Sequence, residues 1–125
     1  MHWLSLGIAA LAALGIIAIG AQYLARPRAI APSFGLPLPE GGPNVAWWLR
    51  LKGVRDIASG LILLATIMWG GSHMVGIVLL VAAIIPLGDM LVILAAKGSA
   101  RSAFGMHGLT ALLMILAAIS LTMEG

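Results

Sequence analysis

The chain has 125 residues, 62% of them hydrophobic and only 9% charged, and it has no cysteine. A soluble domain carries charge on about a quarter of its residues, so one water-exposed globule is excluded, as are disulfides, thiolate metal sites and cysteine nucleophiles. The net charge of +3 does not indicate a nucleic-acid partner, because the charges flank and enter apolar segments instead of forming a basic face.

In chain order, residues 3–25 form the first apolar stretch. It lacks a basic leader region and exceeds a usual leader core, so it reads as a retained helix. Residues 26–44 hold five of the six prolines and Gly35, Gly41 and Gly42. This composition predicts an ordered irregular loop, with no helix of its own. Phe34, Leu36 and Leu38 would fold it back over the helix ends. Residues 45–69 form the second stretch, followed by a tight turn at residues 70–72. Residues 73–96 form the third, and Pro86 inside it predicts a bend, since proline cannot donate to the carbonyl of Ala82. A short basic link leads to the fourth stretch, residues 102–123.

Each stretch approaches the 20 or so residues needed to cross a bilayer. Backbone polar groups in lipid must be satisfied internally, and the alternating pattern of barrel strands is missing. The expected fold is therefore all-α: a polytopic membrane protein of one domain, with four transmembrane helices in a bundle.

All seven Lys and Arg residues fall toward one end of that bundle: Arg26, Arg28, Arg50, Lys52, Arg55, Lys97 and Arg101. The positive-inside rule makes this end cytoplasmic, with both termini outside, and a bacterial inner membrane is the expected location. Trp3 and Trp69 fall at the outer interface, and Trp47 and Trp48 at the inner one, as aromatic belts prefer.

Ionisable residues inside a span are expensive, and by default they mark function. Lys52, Arg55, Asp56 and Ser59 recur at helical spacing on one face of the second helix. From the cytoplasmic end, Asp56 is about 16 Å deep, Asp89 about 12 Å and His107 about 8 Å, at 1.5 Å per residue. Tyr23 lies shallower on the first helix. All four helices can thus feed one polar site. A bidentate Arg55–Asp89 pair across helices is expected, with Lys52 free to reach the interface. No metal or other cofactor is expected, because Arg55 and Lys52 repel a cation from the acids. Bis-histidine haem is excluded by depth, since His2 and His73 lie at the opposite end from His107.

Four short motifs carry a resemblance. Phe34-Gly35-Leu36-Pro37, Lys52-Gly53-Val54-Arg55-Asp56, Pro86-Leu87-Gly88-Asp89 and His107-Gly108 occur in this order along the chain. Together they resemble a family of small four-helix membrane proteins known as the domain of unknown function number four-two-six-seven. The layout is more loosely similar to DoxX-like membrane proteins. The resemblance implies the fold and topology, and it marks Arg55, Asp56, Asp89 and His107; it implies no activity.

The functional expectation is a cytoplasmic-side pocket that binds, and by acid–base chemistry transforms, a small amphipathic molecule. An isomerase, cyclase or hydrolase fits. Asp56, Asp89 and His107 would be the catalytic groups, and Arg55, Lys52, Ser59 and Tyr23 the binding groups. Two alternatives stand beside it: a structural or assembly subunit whose buried ion pairs only fix helix packing, and a proton-coupled small transporter. The expected partners are the lipid bilayer and the amphipathic ligand, with a homo-oligomer also compatible.

Overall fold

The computed structural model describes residues 2–124, and among these it is all-α with no strand. Helix α1 (His2–Ala25) is followed by a single turn, α2 (Pro27–Ile30), and a 3-10 turn at Ala31–Phe34. The loop expected to lack a helix therefore begins with helical turns. Pro27 and Pro32 each sit at the start of one, where no N–H is needed and the fixed φ of proline is already helical. Beyond Phe34 the segment is irregular up to α3 (Val45–Trp69). Leu36 is half-buried, but Leu38 is exposed and does not fold back.

Gly70 and Gly71 end α3 and open α4 (Ser72–Ala82). The helical ladder breaks at Ala83 and resumes as α5 (Ile84–Ala95). The break is the expected consequence of Pro86. The carbonyl of Ala82 loses its usual donor, whereas the N–H of Leu87 still reaches Ala83 O at 3.1 Å. Lys97, in the left-handed region at φ 57°, closes α5. Its N–H bonds to Leu94 O and that of Gly98 to Ile93 O, the paired pattern of a Schellman cap. Then come α6 (Ala100–Ser102), a π turn over Ala103–Gly108, and α7 (Leu109–Met123).

Three helical segments are long and apolar enough to cross a membrane: His2–Ala25, Ser72–Ala95 and Ala100–Met123. Helix α3 has comparable length, with 25 residues. Arg50, Lys52, Arg55 and Asp56 set its first half apart from the other three. The outer surface of the bundle is apolar, with Leu11 72% exposed, Trp3 82% and Trp69 79%. Such a surface is stable against lipid and not against water.

The interior is packed with small residues. A Cβ on Gly53 would lie 2.6 Å from Gly20 O, and one on Gly60 would lie 2.7 Å from Ala13 O. These pairs let the backbones of α1 and α3 touch, the usual means of helix association where lipid removes the hydrophobic drive. Helix α7 packs on α1 and α4. The dense core of Ala9, Ala13, Leu63, Val75, Leu79, Met114, Ala118 and Leu121 fills one half of the bundle. At that end His2 meets Glu124, and the ring of His73 meets Thr122 O. The other half, below Ala83, is packed differently: α5 leans on the π turn and α7 and makes little contact with α3.

Candidate functional site

The gap between α3 and α5 is where the polar side chains gather. A half-open cavity of about 280 Å³, with the exposed Leu11 and Ile19 at its rim, is walled mainly by apolar side chains, with Tyr23, Lys52, Ser59, Asp89 and His107 as its principal polar lining. A second hollow of about 450 Å³ faces outward and is bordered by Trp48, Leu51, Arg55 and Asp56. Lys52, Ser59, Ile85 and Asp89 border both spaces and form the wall between them.

Lys52 is the central cation. Its Nζ donates to Asp56 Oδ2 at 2.7 Å, one helical turn along α3. It also lies 4.2 Å from the centre of the Tyr23 ring and 5.0 Å from that of Phe34. Two aromatic faces and one carboxylate therefore hold the ammonium, an arrangement that compensates partial desolvation. Asp56 is buried, and this ammonium is its ion-pair partner. Ser59 donates to the Asp56 backbone carbonyl at 2.9 Å, which fixes its hydroxyl on its own helix.

His107 sits in the π turn, on the opposite wall. Its Nε2 lies 2.9 Å from Phe34 O, and the two rings meet at a tilt of 50°, with 4.5 Å between centroids. A carbonyl only accepts, so Nε2 carries the proton and donates it. The other ring nitrogen, Nδ1, faces Asp89 Oδ2 at 3.7 Å, too long for a hydrogen bond. Among the described residues the Asp89 carboxylate makes no hydrogen bond, and its side chain is 32% exposed to the two hollows.

The loop is held over this wall by backbone. Gly35, at φ 107°, turns its carbonyl to accept from the Ser99 N–H at 2.8 Å. A side chain at Gly35 would collide with Ser102 as well as straining the turn. Phe34 is thereby fixed between Lys52 and His107.

The expected Arg55–Asp89 pair does not form. Arg55 is exposed, Asp89 faces His107, and Lys52 takes the interior position. The reason is helical phase. Gly53, Asp56, Gly60 and Leu63 are the buried stripe of α3. At about 100° per residue Lys52 falls at the edge of that stripe, and Arg55 falls a further 60° away from it. Asp56 points inward but borders only the outer hollow. The structure thus brings Tyr23, Lys52, Ser59, Asp89 and His107 to the interior cavity and leaves Arg55 and Asp56 outside it. Phe34 joins the site through its carbonyl and ring; its motif was visible in the sequence, but this role was not.

The profile of the family described as "Domain of unknown function (DUF4267)" matches residues 13–121. No curated protein and no solved structure matches the chain.

Proposed function

The chain belongs to the DUF4267 family, and we propose that it is a four-span membrane protein whose interior cavity binds a small amphipathic molecule. Helix α3 is the fourth span, and the basic end is cytoplasmic, in a bacterial inner membrane with both termini outside. The observation that carries this reading is an apolar cavity ending at a carboxylate with no hydrogen-bond partner among the described residues. Pockets for small molecules have this make-up, mostly apolar with a few convergent polar groups. The cavity volume is at the lower end of the range for such pockets, about 300 Å³.

Asp89 and His107 are the groups placed to exchange a proton with an occupant. Lys52 sets the field around them, and Tyr23 forms part of the wall. Arg55, outside the cavity, meets material in the outer hollow.

Gly15 supplies the test. It lines the cavity, and a Cβ there would meet nothing within 4 Å. Gly15→Phe should fill the space without disturbing the helices. Native mass spectrometry of the detergent-extracted protein should find a bound small molecule on the wild type and none on the variant. A wild-type protein that carries nothing, under lipid-like extraction that preserves its fold, rejects the reading.

A second reading has one observation in its favour. Every buried side-chain N or O atom among the described residues has a hydrogen-bond partner. A bundle whose charges serve packing alone would also look like this. It predicts that Asp89→Leu retains cellular function, whereas a pocket centred on Asp89 predicts loss in a folded protein.

A further inference from the structure

Resting on the pocket reading above, we propose that the occupant is a single-chain hydrophobic amine, recognised as its ammonium by Asp89 and His107.

Nε2 of His107 is committed as donor to Phe34 O. In the neutral ring Nδ1 then carries a lone pair, and it faces Asp89 Oδ2 at 3.7 Å. Both atoms belong to residues that line the cavity. The site therefore offers two adjacent acceptors against one uncommitted donor, the Tyr23 hydroxyl, whose single hydrogen can satisfy only one of them and leaves the matching role open. Lys52 does not fill that role, because its ammonium is engaged by Asp56 and by the rings of Tyr23 and Phe34. A carboxylate or phosphate would add a third acceptor and be repelled. A hydroxyl has a single hydrogen and satisfies one acceptor. A primary ammonium has three and can satisfy both.

The charges agree. Lys52 and Asp56 neutralise each other, so with the His107 ring neutral Asp89 is the remaining charge on the cavity. Repulsion of a cation by Arg55 and Lys52, expected from the sequence, is relieved: Arg55 faces the outer hollow, and Lys52 is paired. A monocation at Asp89 brings the local sum to zero, which is what a low-dielectric site favours.

The rest of the ligand follows from shape. The other walls include Ile16, Leu63, Ala82 and Met114, so the ammonium must carry an apolar chain. A volume of about 280 Å³ suits one short chain and not the paired acyl chains of a bilayer lipid. The slack contact between α3 and α5 gives such a molecule a path from the bilayer, past Ile85.

The test uses the full chain in phosphatidylcholine nanodiscs, with decylamine, decanol and decanoate as probes of equal chain length. Decylamine should raise the unfolding midpoint by roughly 5 °C at saturating dose, and the other two should not. Both Asp89→Asn and Gly15→Phe should abolish the rise; the second leaves every charge in place and guards against a folding defect in the first. Discs containing phosphatidylethanolamine should melt like those without it. A rise with that lipid would move the ammonium to a two-chain source and overturn the single-chain assignment. If decanol or decanoate matches decylamine, or if Asp89→Asn keeps the rise, ammonium recognition is overturned, while the cavity stands as long as Gly15→Phe removes the effect. If no probe acts and nothing is bound to the extracted wild type, both proposals fall together.

Discussion

Lys52 and Arg55 are one helical turn apart, yet only Lys52 lines the interior cavity. Sixty degrees of helical phase decides between a paired cation and a lipid-facing one. The sequence already held the signal, since Gly53, Gly60 and Leu63 mark the packed stripe and Arg55 is the charge farthest from it. What it could not supply was the position of α1, which fixes the stripe as the interior. The pairing makes a specific prediction. Lys52→Met leaves the buried Asp56 without its partner. Breaking a fully buried pair costs about 3–5 kcal/mol; with the Lys52 side chain 32% exposed, roughly half of that is expected. Adding Asp56→Leu removes the orphan charge and should recover most of the loss. A double-mutant cycle by denaturant unfolding in detergent checks this. Equal destabilisation by the single and the double variant would show that Asp56 does not depend on Lys52.

At the level of elements, apolar length and proline placement made the helices legible, including the interruption before Pro86. The π turn was not legible. It arises where the chain must return from the Gly35 contact into α7, and no residue in Ala103–Gly108 demands it by propensity. Its effect is large, because the wide turn places His107 on the loop carbonyl and opposite Asp89. The Schellman cap was hidden for a different reason: Lys97 stands where glycine is usual. Helix contacts give the clearest prediction here. At Gly53 a methyl group would meet backbone on α1, whereas at Gly7 it would meet nothing within 4 Å. Gly53→Ala should therefore destabilise the fold by about 1–3 kcal/mol, an overpacking cost. Gly7→Ala should be neutral or slightly stabilising, since alanine favours helix by up to about 1 kcal/mol. Unfolding curves of the two variants side by side separate packing from propensity, and similar behaviour would mean that the α1–α3 contact carries no energy.

For the whole molecule, the deciding matter is whether α3 crosses the bilayer with its four charges. Its register against α1 supports the four-span reading proposed above. Gly53 faces Gly20, and Gly60 faces Ala13. Each step toward the end of α3 is matched by an equal step toward the start of α1, so the two helices run antiparallel at the same depth. If α1 spans the membrane, α3 spans it beside α1. The cost of its charges is contained locally: Lys52 and Asp56 pair, and Arg55 has a long stem with which to reach the interface. The chain has no cysteine, so a single introduced thiol reports one location. Gly41→Cys, in the loop before α3, and Gly71→Cys, in the turn after it, each meet open space. In intact inverted membrane vesicles an impermeant maleimide should label Gly41→Cys and spare Gly71→Cys; in right-side-out vesicles the result should reverse. Labelling of both positions from one face would mean that α3 lies along the membrane surface. The antiparallel register, and with it the closed wall that the cavity needs between α1 and α3, would then have to be abandoned.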